Sequence, residues 1–135
     1  MRLPIQSTRR FGALVGAALL ALGVGACGHP VERKLQGRWL GEGVENFDDA
    51  LTAAATGWAR GTSLEFAGSD LTVSIPAEEA RSGSYKVVKV NRNDVDIAVT
   101  RKDGAIDRAR FSLDDDARMR WRLSGGRSVL LRRQE

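Results

Sequence analysis

From Leu64 almost to its end, this chain alternates apolar and polar residues with a period of two, and that alternation limits its fold more than any other feature. Leu64 and Phe66 share a phase, then Leu71, Val73 and Ile75, then Val95, Ile97 and Val99, then Ala109, Phe111 and Leu113. Ala117, Met119, Trp121 and Leu123 close the series, interleaved with Arg118, Arg120 and Arg122. Successive side chains of a strand point to opposite faces, so each run predicts a strand with one buried and one solvated face. Between the runs stand turn-forming residues: Gly68-Ser69, Asn91-Arg92-Asn93, Lys102-Asp103-Gly104, Asp114-Asp115-Asp116 and Gly125-Gly126. Asp-Gly in particular accepts the positive φ of a tight hairpin. With an opening strand at 35–40, the apolar run Ser84–Val90 and a last strand over Ser128–Arg133, eight short strands are expected. The fold class is mainly β: a small antiparallel meander curling into a barrel or half-barrel.

One α-helix breaks the series, directly after the first strand. Asn46 offers a side-chain cap, and Asp48 and Asp49 suit the positive end of the helix dipole. Phe47, Ala50, Leu51, Ala54 and Trp58 then fall on one helical face, and Arg60-Gly61 supplies a stop. The helix is expected to close one end of the barrel or lie across the sheet, with Leu51 and Trp58 turned inward. Eight strands leave an interior that side chains nearly fill, and Trp39, Trp58 and Trp121 are expected to share it.

The first 26 residues are of another kind. Met1–Arg10 carries three arginines and no acid, and the sixteen residues Phe11–Ala26 carry no charge. A basic start, a short apolar stretch and small residues before a cut describe an export signal, shorter than the roughly 20 residues a spanning helix needs. Residues 1–26 are therefore read as a cleaved signal peptide, 27–34 as a tether and 35–135 as a single domain. Without the signal the chain keeps 18 basic and 17 acidic side chains, so the high isoelectric point gives no argument for nucleic acid. Cys27 is the only cysteine. No disulfide can brace the domain, so its core must hold it.

Val24-Gly25-Ala26-Cys27 resembles the lipobox of bacterial lipoproteins. The resemblance implies cleavage between Ala26 and Cys27, acylation of Cys27 and a membrane-anchored protein of the cell envelope. Gly28 stands where an aspartate would favour inner-membrane retention, which points to the outer membrane, facing the periplasm. Gly37-Arg38-Trp39 resembles the Gly-x-Trp that opens the first strand of lipocalins and related calycins. That resemblance implies a tryptophan at the closed end of a barrel with an arginine from near the last strand stacked on it, Arg132 or Arg133 here. The chain departs from the pattern in its shortness, in a helix that follows the first strand, and in lacking the family's Thr-Asp-Tyr turn. Small lipoproteins with a lipocalin-like β-barrel domain are the nearer likeness.

Reactive chemistry is sparse. His29 is the only histidine and falls in the tether, where it is poorly placed to act as base or ligand. Glu78-Glu79 and Asp114–Asp116 lack the alternating oxygen spacing of a calcium loop, and no phosphate loop, nucleophile elbow or cysteine cluster is present. The expectation is no enzyme, no cofactor and no metal. One constellation remains: Arg108, Arg110, Arg118, Arg120 and Arg122 take the outward phase of adjacent strands. If Phe111 lies opposite Met119, Arg110 faces Arg120 and Arg108 faces Arg122, and like charges so paired repel unless acids such as Asp94 and Asp96 screen them. These five are a candidate surface for an anionic envelope component, since a guanidinium bonds two oxygens at once. The functional expectation is a noncatalytic binding module, for a small apolar ligand inside or an anionic component outside. The alternative is a structural or interaction protein, such as an accessory of an outer-membrane assembly or an inhibitor of a periplasmic enzyme.

Overall fold

The computed structural model describes residues 29–135. The signal segment, the Ala26–Cys27 junction and Gly28 lie outside the described residues. Val31–Glu135 is a compact unit with its own core. In chain order it comprises α1 (Glu32–Leu35), β1 (Gly37–Glu45), α2 (Asp49–Arg60), β2 (Ser63–Ala67), β3 (Asp70–Ser74), β4 (Arg81–Asn91), β5 (Asp94–Thr100), β6 (Ile106–Leu113), β7 (Arg118–Arg122), a 3-10 turn (Ser124–Gly126) and β8 (Ser128–Gln134). The eight strands pair antiparallel in sequence order and β8 returns to β1, so the sheet closes into a full barrel. The inward phase read from the sequence is the buried one: Leu64, Phe66, Leu71, Val95, Ile97, Phe111, Met119, Val129 and Leu131 form the core with Trp39 and Tyr85.

The two ends differ. The start of β1, the end of β8 and the turns β2–β3, β4–β5 and β6–β7 gather at one end, which α1 closes. Val31 and Leu35, one turn apart, are buried there. The folded unit therefore takes in residues 31–34, assigned to the tether from sequence, and Leu35 ends a helical turn rather than starting a strand. Gln36 locks this end: its side-chain amide donates to the Tyr85 hydroxyl and the Gly68 carbonyl at 2.9 Å, and its oxygen accepts from the Gly68 amide at 2.8 Å. Burial pushes the Tyr85 phenol above its ordinary pKa, the nearby Glu32 adds to the rise, and the Gln36 hydrogen bond opposes it.

The opposite end carries α2, the loop 75–80, the β5–β6 hairpin and the β7–β8 connection. The helix begins at Asp49 with Asp48 in the cap position, two residues later than the Asn46 cap predicts. Asn46 instead takes a left-handed φ of 63° and its side-chain amide bonds Gly126 across the barrel end at 3.0 Å. The helix is also rotated from the expected face. Ala59 is fully buried and Ala55 half-buried, while Ala50 and Ala54 are exposed and Leu51 is 51% exposed. Close approach explains the rotation. A Cβ on Gly41 of β1 would stand 1.9 Å from the Ala59 carbonyl oxygen, and the Gly41 amide donates to the Thr62 carbonyl at 3.0 Å. Only a glycine facing an alanine leaves room for that crossing, so the small side chains go inward and Leu51 turns out. A bulge between Gly41 and Gly43 shifts the β1–β8 register at the same place, and bulges bend the strand that carries them.

Candidate functional site

Side chains fill the closed half of the barrel and leave the other half open. At the closed end Trp39 is fully buried and donates its indole N–H to the Leu35 carbonyl at 2.8 Å. Arg133 lies opposite it in the β1–β8 ladder and places its guanidinium 4.3 Å from the Trp39 ring centre. The same guanidinium donates to the carbonyls of Gln36, Lys34 and Asp116, so this half-buried cation is satisfied by backbone oxygens and a π face. Gly37 makes room for it: its φ is +118° and a Cβ there would come within 2.7 Å of the guanidinium. Of the two arginines named from sequence, Arg133 takes this place. Arg132 points outward and pairs with Glu42 at 3.5 Å.

Towards the open end, a cavity of about 410 Å³ lies inside the strands. Its walls are Leu64, Leu71, Val73, Phe111, Trp58 and Trp121. The aromatic walls form a ladder, Phe111 to Trp121 and Trp121 to Trp58, each with ring centres 6.4 Å apart. Trp58 and Trp121 are half-buried rather than fully enclosed, unlike Trp39. The near-filled interior expected from strand number therefore holds only for the closed half; at the other end α2 contributes Trp58 to the wall of a cavity. Charged residues ring the mouth. Arg81 pairs with Glu78 at 3.1 Å and Arg101 with Asp107 at 3.2 Å, and Glu79 and Arg108 complete the rim.

The five outward arginines do not form one surface. β6 and β7 pair with Phe111 opposite Trp121 and Leu113 opposite Met119, two residues away from the expected register. The cause is a longer turn, closed by hydrogen bonds from the Asp114 and Asp115 amides to the Arg118 carbonyl and from the Ala117 amide to the Asp115 carboxylate. An even shift keeps every side chain on its face but changes the partners. Arg110 now faces Arg122, and Arg120 faces Ser112. Acids neutralise two of the set. Arg110 grips both oxygens of Asp96, at 2.6 and 3.1 Å, and Arg120 binds Asp114 at 2.7 Å with Glu45 at 3.6 Å. The hydrogen bond from Arg110 is the main cause holding the Asp96 carboxyl below its usual range. Arg122 donates to the Ser112 hydroxyl at 3.0 Å, which donates in turn to Asp94 at 2.6 Å. Arg118 lies opposite Arg132 near the closed end. Arg108 has no β7 residue opposite it and no ion pair among the described residues.

Rim residues Arg81, Arg101 and Asp107 were missed from sequence, although a signal was present. Arg81 continues the inward phase of Gly83 and Tyr85, and Asp107 that of Ala109 and Phe111. A charge on the inward phase at a strand end marks where the interior meets water. The chain matches no family model, no curated protein and no solved structure.

Proposed function

We propose that this protein is a noncatalytic, lipid-anchored binding module of a bacterial cell envelope, held by an acylated Cys27 and taking a small, largely apolar ligand into the open half of its barrel. The observation that carries this reading is the largely apolar cavity of about 410 Å³ with an aromatic wall. Ligand sites are concave, mostly apolar and edged by a few polar groups, in the range of roughly 300–1,000 Å³. At about 30 Å³ per water-sized group, the space takes on the order of a dozen non-hydrogen atoms. The Gly-x-Trp opening and the Arg133–Trp39 stack support a lipocalin-like relationship.

Trp58 and Trp121 line the cavity, so occupancy is readable in tryptophan emission. Titrating decanol into the domain from residue 29 onward is expected to shift the emission saturably, and replacing Ala109 with Trp, which fills the space, is expected to abolish the shift. An emission spectrum indifferent to decanol sinks this reading. The anchor is checked separately. The chain expressed in a bacterium that processes lipoproteins is expected to carry acyl mass on Cys27, and Cys27→Ser to remain unprocessed. A native protein with an unmodified cysteine removes the anchor from the proposal.

The exposed Leu51 in the first turn of α2, beside the exposed Ala50 and Ala54, favours the second reading, an interaction protein that presents this helix to an envelope partner. Under that reading Leu51→Glu disrupts the partnership while decanol binding persists.

A further inference from the structure

The β6–β7 ladder ends at Arg110–Arg122, and above that pair the strands part. Ile106–Ala109 stays bonded to β5 on one side only, and β7 gives way to a turn in which the Leu123 amide bonds the Arg127 carbonyl. Ile106 at this edge is 61% exposed. The parting makes a groove on the outer wall lined by Asp96, Arg108, Arg110, Arg122 and Leu123, with Ala109 and Trp121 also lining it. Ala109, Trp121 and Arg108 line the inner cavity as well. The inner cavity and the outer groove therefore adjoin at these three residues, where the strands part, and we call the groove a lateral slot.

Charge distinguishes the two openings. The mouth is balanced, with Glu78, Glu79 and Asp107 against Arg81, Arg101 and Arg108. The slot has three arginines against a single acid, Asp96, which Arg110 already engages. Arg108 acts on Asp96 only through space and forms no ion pair among the described residues, and Arg122 hydrogen-bonds the neutral Ser112 hydroxyl. Two guanidiniums without a direct ion pair among the described residues therefore stand in the groove, Arg108 on the cavity's rim and Arg122 beside it.

We infer that the ligand of this cavity is an amphiphile with an anionic head, a carboxylate or a phosphate, whose apolar tail lies against Trp121 and Phe111 and whose head rests in the slot on Arg108 and Arg122. This rests on the cavity being a binding site. A guanidinium bonds a carboxylate or phosphate through two oxygens, and such charge-assisted bonds are about twice as strong as neutral ones. The slot is what allows this arrangement: the tail is withdrawn from water while the head remains hydrated at the surface, so no charge is buried.

The test compares decanoate, decyl phosphate, decanol and decyltrimethylammonium on the domain from residue 29 onward, each below its aggregation concentration, by tryptophan emission. One or both anions are expected to bind about tenfold more tightly than decanol, the tighter one identifying the head, and the cation most weakly. Arg108→Gln with Arg122→Gln is expected to reduce the anion to the affinity of decanol, which stays unchanged and shows that the cavity is intact. Arg81→Gln with Arg101→Gln, at the mouth, is expected to leave the preference in place. The slot is overturned if decanoate, decyl phosphate and decanol bind alike, if the preference survives the Arg108/Arg122 change, or if the mouth pair abolishes it instead. If no decyl compound binds, the cavity itself is not a site and both readings fall.

Discussion

Trp39→Ala is expected to cost the domain about 3–5 kcal/mol, the range for truncating a fully buried tryptophan. Three losses add in one place. The side chain has no exposed surface, so its removal leaves a void in the closed half of the barrel. The Leu35 carbonyl loses the indole N–H that satisfies it at 2.8 Å. Arg133, half-buried, loses the ring over which its guanidinium is stacked. Domains of this size hold only about 5–15 kcal/mol in all, so the variant sits near the edge of folding. Urea unfolding followed by circular dichroism measures it. Trp39→Phe separates the contributions, because it refills most of the void but restores no donor, and about half the loss is expected to return. A Trp39→Ala loss below about 1 kcal/mol means that the closed end is not the cornerstone described above.

Gly41→Ala is expected to destabilise by about 3 kcal/mol, the upper end for overpacking, although it adds a single methyl group. The new Cβ meets the Ala59 carbonyl oxygen at 1.9 Å and the carbonyl carbon at 2.7 Å. Backbone cannot rotate out of the way as a side-chain tip can. The last turn of α2 must lift off β1, and the Gly41–Thr62 hydrogen bond goes with it. A fall in melting temperature of roughly 10–20 °C corresponds to that loss in a domain this small. Gly43→Ala on the same strand is the control, since a Cβ there meets nothing within 4 Å. Equal melting temperatures for the two variants contradict the helix–strand crossing. Lifting α2 also moves Trp58, so decanol binding is expected to weaken in Gly41→Ala and not in Gly43→Ala.

Much of this architecture is legible in the residues alone. The period of two from Leu64 to Arg133 determines the strands, their number and their buried face, because a strand offers its two sides no other way of sorting polar from apolar. The turn residues mark where each strand stops, and consecutive antiparallel strands with one apolar face have little choice but to curl over it. Gly37-Arg38-Trp39 marks the closed end, whose physical content is a left-handed glycine beneath an arginine that stacks on a tryptophan.

Three features were decided only in three dimensions. The face of α2 is one. Periodicity favours Leu51, but the distance of closest approach to β1 is set by Gly41 and Ala59, residues nearly twenty positions apart whose meeting no local pattern encodes. The register of β6 on β7 is the second, because a shift of two residues leaves every apolar phase unchanged and hydrophobicity cannot sense it. The hydrogen bonds of the Asp114–Ala117 turn select between the alternatives. The third is the fate of the arginines. On the sequence Arg108, Arg110, Arg118, Arg120 and Arg122 are five equivalent outward cations. Closure of the barrel brings Asp96, Asp114 and Glu45 to Arg110 and Arg120, carries Arg118 towards the closed end, and leaves Arg108 and Arg122 beside the opening where the strands part. Charge pairing depends on which strands become neighbours at which height, and that is a property of the closed sheet, not of any one strand.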